Sequence, residues 1–169
     1  MTPKNLISGA LLAGMLSMPA VAVPGGSGEV TNASPVTATA RRPAQYCVGN
    51  DAATLDGLRR GSKRLVVVVR AFQPVVSGNS GLVASLLTAN KGERHEVGRF
   101  AVHPLGAFSA QEAHRQQRFL VALGEHAHLL KSDKAVCIEI GFDNSHGKLR
   151  EGRVEFHIEL VDVMSAPRK

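Results

Sequence analysis

The residues in this chain best suited to hold a metal are its histidines. There are seven: His95, His103, His114, His126, His128, His146 and His157. Imidazole is the commonest side-chain ligand for copper and zinc. His126-Ala-His128 would carry both rings on one side of an extended segment and apart on a helix, and the segment 125–131 reads as a short helix. His103 ends an extended stretch just before Pro104, where a ring can project from a sheet edge. His157 falls on the polar side of an alternating strand. His103, His126, His128 and His157 are therefore the candidate metal ligands, with copper the metal to test for. No two have a spacing that demands a metal, and seven ordinary surface histidines is the competing account.

Cysteine offers a different chemistry. Cys47 and Cys137 are the only two. An even count in an exported chain points to a disulfide, and closing so long a loop stabilises by roughly 4–5 kcal/mol on loop entropy alone. Thiolate metal ligation is the rival, but it calls for a histidine and an axial methionine close to the cysteine. Cys137 is followed by Glu139, with no histidine in reach along the strand, and Met164 is far down the chain. The carboxylates Glu155 and Glu159 share one face of a strand, where solvated edge charges explain them better than acid–base work. No G-x-S-x-G, P-loop, H-E-x-x-H or C-x-x-C pattern is present. A small enzyme with an unrecognised site stays open, because sites are assembled in space and not in sequence.

The elements that would position these groups are mostly strands. Lys63–Phe72 carries four consecutive valines, and stiff β-branched side chains favour a pleated surface. The stretches 81–88, 94–103 and 118–123 follow, separated by Gly, Pro and Asn. In 135–142, Val136, Ile138, Ile140 and Phe142 face one way while Cys137 and Glu139 face the other. In 153–160, Val154, Phe156, Ile158 and Leu160 alternate with Glu155, His157 and Glu159. One-sided alternation marks an antiparallel sheet with one wet face. Helix is sparse: a short turn within 50–61, a capping box from Ser109 to Glu112, and the turn at 125–131. The pattern predicts a mostly β chain, an antiparallel β-sandwich of about six to seven strands with one or two short helices.

The first residues read as an export signal. Lys4 is followed by an uncharged run to Ala22, broken by Pro19 and ending in Ala20-Val21-Ala22, a small-x-small cleavage site. Residues 1–22 are thus expected to be a cleaved signal peptide, 23–45 a flexible Gly/Pro/Ser/Thr-rich leader, and 46–169 one β-sandwich domain. An uncleaved membrane anchor is the alternative, although the run is short and rich in Gly and Ser for one. The expected location is periplasmic or secreted, with no stable membrane span after cleavage. The net charge of +6 fits a soluble basic surface, and with no Trp and one Tyr the stacking platforms of nucleic-acid binders are missing.

The order LVVVVRAF, GLVASLLT, EVGRFAVHP, RFLVALGEHAHLL, AVCIEIGF and VEFHIELV resembles the C-terminal β-sandwich (shielding) domain of plant-type polyphenol oxidases and related tyrosinases, over roughly residues 64–163. GRFAVHP is similar to that family's Gly-x-Phe-Val-x-x-Pro-His stretch, with His103 before Pro104 where the family has Pro and then His. The resemblance implies a non-catalytic domain that packs over a dicopper oxidase domain and plugs its entrance with a bulky side chain. In this chain the plug would come from Leu105 or Phe108. A free-standing exported version would act in trans on a type-3 copper oxidase as shield, folding helper or copper-delivery partner. A periplasmic or secreted histidine-based copper or zinc binder is the alternative.

Overall fold

The computed structural model describes residues 34–49, 51–75, 81–88, 92–103, 106–130, 135–143 and 151–163. The proposed signal peptide, 1–22, lies outside them, as do Pro104, Leu105 and His146.

Alternation in the sequence becomes two layers. The described residues form eight strands in chain order: β1 (Val36–Thr39), β2 (Ala44–Val48), β3 (Lys63–Gln73), β4 (Gly81–Leu87), β5 (Arg94–Ala101), β6 (Gln117–Val121), β7 (Val136–Phe142) and β8 (Arg153–Asp162). They pair antiparallel into a first sheet of order β1-β8-β3-β6 and a second of order β2-β7-β4-β5. The expected antiparallel β-sandwich is what the chain forms. Residues 136–142 alternate fully buried and half-buried, with Val136, Ile138, Ile140 and Phe142 turned inward as their spacing predicts. Val154, Phe156 and Ile158 do the same from β8. Between the sheets, Phe72 packs on Phe142 and on Phe108, with ring centroids 6.2 Å apart in both pairs.

The expected leader is corrected over its described part. Val36–Thr39 adds to the first sheet along Phe156–Arg153, and Ala44–Val48 adds to the second along Ile140–Val136. Ala38 and Tyr46 are core residues, so the domain reaches back at least to Val36. These strands gain their stability from partners at least 88 positions away in the chain, which local composition does not reveal.

Among the described residues one α-helix, α1 (Ala52–Arg60), crosses between β2 and β3. Asp51 caps it by accepting from the Thr54 N–H at 2.7 Å, and hydrogen bonding from the Thr54 side chain and then from its backbone holds the Asp51 carboxyl below its ordinary range. Gly61 ends it in the left-handed region at φ 74°, where glycine alone bears no Cβ penalty. The described residues also form two 3-10 turns, Ala113–Arg115 and Gly124–Leu129. The first follows the expected box, with the Ser109 N–H bonded to Glu112 at 2.8 Å. Gly152 closes the sandwich at one end: its carbonyl accepts from the Ala40 N–H at 2.8 Å, and a Cβ there would sit 2.4 Å from Val75 Cγ1.

Candidate functional site

The outer face of the second sheet is built by the pleat. Cys47 lies directly opposite Cys137 in the β2–β7 register. Side chains at paired positions point to the same face, so the two sulfurs meet outside the core. They are bonded at 2.10 Å, with Cα atoms 4.0 Å apart. No free cysteine is left, so the thiolate metal site is excluded in favour of the disulfide.

Next to the cystine, the same face carries a row of paired charges. Register sets Ser85 between Glu139 on β7 and Glu96 on β5, and Val83 between Gly141 and Arg99. Arg94 reaches across to Glu139 with two bonds, Nε to Oε1 at 2.7 Å and a terminal nitrogen to Oε2 at 3.1 Å. Arg99 grips Glu96 at 2.6 and 2.8 Å and Asp143 at 2.7 Å. The Arg99 hydrogen bond is the main reason the Glu96 carboxyl lies below its usual range, and the same bond raises the guanidinium. Between these pairs and the β1–β2 corner lies a groove of about 550 Å³. Its floor is Val83, Ser85 and Gly141, and Pro43 and Arg41 stand on its rim. Glycine at 141 matters to this shape, since a Cβ would approach Pro43 Cβ to 3.2 Å. Arg41 is exposed and has no carboxylate partner among the described residues. What this arrangement can do is recognise: a half-apolar trough with fixed charges on its walls. The bidentate Arg94 fork and the Arg99 bridge hold those walls in place.

The first sheet presents a different outer face. His157 Nε2 lies 3.1 Å from Glu159 Oε1, and Arg118 binds the same carboxylate from β6. Burial pushes Glu159 up, but the bonds from Arg118 and His157 outweigh it and the carboxyl stays below its ordinary range. Glu159 is thus an ion-pair member beside Val66 and Val68, both buried.

The candidate ligands are dispersed. His103 is exposed, and its backbone N–H donates to the Gln117 side chain at 2.9 Å. His128 is exposed, and its Nδ1–H donates to the Glu125 carbonyl. His157 is engaged by Glu159. His126 does meet another imidazole, but it is His95, with ring centroids 5.4 Å apart. His95 Nε2 is buried and has no hydrogen-bond partner among the described residues. Among those residues no three His, Cys, Asp or Glu side chains gather where they could hold a metal ion. The plug expectation is corrected at Phe108, which is 6% exposed and joined to Phe72 by two backbone bonds of 2.9 Å. An aromatic ring placed on a turn was turned inward because β3 offers it an apolar wall.

Spacing in the sequence signalled neither the groove nor His95. The groove draws on four separated stretches, 39–43, 83–85, 94–99 and 139–143. The residues define an antiparallel β-sandwich with a grooved, cystine-bearing face. The chain matches no protein-family model, no curated protein and no solved structure.

Proposed function

We propose that this chain is an exported, non-catalytic interaction protein that takes a folded partner in the groove of its cystine-bearing sheet. The groove is the observation that carries the reading. It combines a floor that can be desolvated with a polar rim, the composition of a protein-binding patch. The cystine supports export, because such bonds persist in oxidising compartments. Among the described residues no helix is long and apolar enough to cross a membrane.

A tyrosinase-like dicopper oxidase is the proposed partner. The order of sequence segments over roughly residues 64–163 resembles that of the polyphenol oxidase shielding domain, and that likeness in sequence supports this choice. Since Phe108 is committed to the core, the contact would be made by the groove face and not by that ring. Crosslinking in the native compartment tests the pairing: the expected product is a one-to-one adduct with a dicopper oxidase. A chain that is always monomeric and unattached there would remove the reading.

One observation favours a second reading, a histidine-based copper or zinc binder. The buried Nε2 of His95 makes no hydrogen bond among the described residues, with Glu93 Oε2 3.9 Å away, and beside the His126 ring an unmade bond costs on the order of 1–3 kcal/mol. A metal shared by the two rings would relieve it. Calorimetric titration of the mature chain with Cu²⁺ is then expected to give submicromolar binding that is lost on His95→Ala and on His126→Ala. Affinity weaker than micromolar, or unchanged by both substitutions, rules it out.

A further inference from the structure

Four cations stand close together in the chain, Arg59, Arg60, Lys63 and Arg64. The fold gathers them further. Gly61 ends α1 with its N–H on the Leu58 carbonyl and turns the chain straight into β3. Gly57 lets the stem of Lys63 lie against the helix, since a Cβ there would come within 2.9 Å of Lys63 Cγ and Cδ. All four residues line one concavity of about 260 Å³, with Val121–Gly124 on its far side and buried Leu58 beneath.

Among the described residues two carboxylates answer these four charges. Asp56 pairs with Arg60 at 2.5 Å and Asp162 with Lys63 at 2.9 Å, both in pairs open to solvent. Arg59 donates to the Leu130 carbonyl with one nitrogen, leaving most of its five N–H groups unused. Arg64 is exposed and engages no carboxylate among the described residues. The C-terminal end of α1 opposes an anion with about half an elementary charge. The surplus of guanidinium and ammonium charge exceeds it, and the net charge of +6 attracts polyanions at longer range.

We propose that this concavity docks an anionic polysaccharide through its sulfate or phosphate groups. Guanidinium forks match tetrahedral oxyanions in pairs. Among the described residues no aromatic side chain lines the site, so they offer no platform on which a base could stack. The apolar face of α1, Leu55 and Leu58, is spent on the core and offers nothing to a lipid surface. The site lies away from the groove and stands whether or not the groove binds a protein.

Heparin affinity of the mature chain, measured against salt concentration, tests this. Arg60→Glu with Arg64→Glu, both at exposed positions, is expected to weaken heparin binding at least about tenfold at physiological ionic strength and to flatten the salt slope. Arg42→Glu with Arg153→Glu removes the same net charge elsewhere and is expected to cost less than about threefold. Equal losses from the two pairs would mean diffuse attraction and overturn the site. Single-stranded DNA or phosphatidylglycerol vesicles binding as tightly as heparin would overturn the polysaccharide as its ligand.

Discussion

Urea unfolding of the Cys47→Ala/Cys137→Ala protein is expected to show about 4–5 kcal/mol less stability than the oxidised wild type. The bond spans 90 positions, so it removes much of the freedom of the unfolded chain. It also joins β2 to the centre of the second sheet, and β2 is only five residues long. A folded domain of this size has about 5–15 kcal/mol in total. Loss of the bond therefore takes a large share, and β2 with the β1–β2 corner of the groove should loosen first. Hydrogen exchange across residues 44–48 reads that order directly. A loss below about 1 kcal/mol would mean that the strands hold their register without the clamp.

Phe156→Ala is the second large effect, with an expected loss of about 3–5 kcal/mol. Phe156 has no exposed surface and is the largest of the fully buried side chains. On β8 it sits between Val36 of β1 and Val69 of β3, so its removal leaves a hole at the middle of the first sheet. Leu120→Ala is the internal control. Leu120 is 54% exposed on the edge strand β6, and its truncation should change stability by no more than about 0.5 kcal/mol. Thermal melts of the two variants side by side separate core from surface. Equal shifts would contradict the inward assignment of the even-numbered β8 residues.

That assignment was readable in advance, and the reason is local. Val136, Ile138, Ile140 and Phe142 alternate with polar or small residues, as do Val154, Phe156 and Ile158, and a half-buried strand demands that period. The valine run of β3 signalled a strand for a different reason, being central and covered on much of both faces: Val66 and Val68 are buried as well as Val67 and Val69. β1 was hidden because Val36-Thr-Ala-Thr39 has the composition of a linker, and only β8 gives it a place. Phe108 misled for a related reason. An aromatic on a turn can face either way, and the bridge to Phe72 that settles it joins residues 36 positions apart. The disulfide was legible because the chain has two cysteines and one of them sat on the polar side of a clear strand. The groove was not legible at all, since its walls are ion pairs between strands whose order in the sheet no local pattern encodes.

The central claim is that the grooved face of the second sheet recognises a protein. The affinity of a purified dicopper oxidase for the mature chain carrying Val83→Glu and Arg41→Glu tests it most directly. Val83 lies on the groove floor and Arg41 on its rim. The account predicts at least about a hundredfold weaker binding, near 2.7 kcal/mol, with the melting curve little changed. Wild-type affinity in that double variant would contradict it.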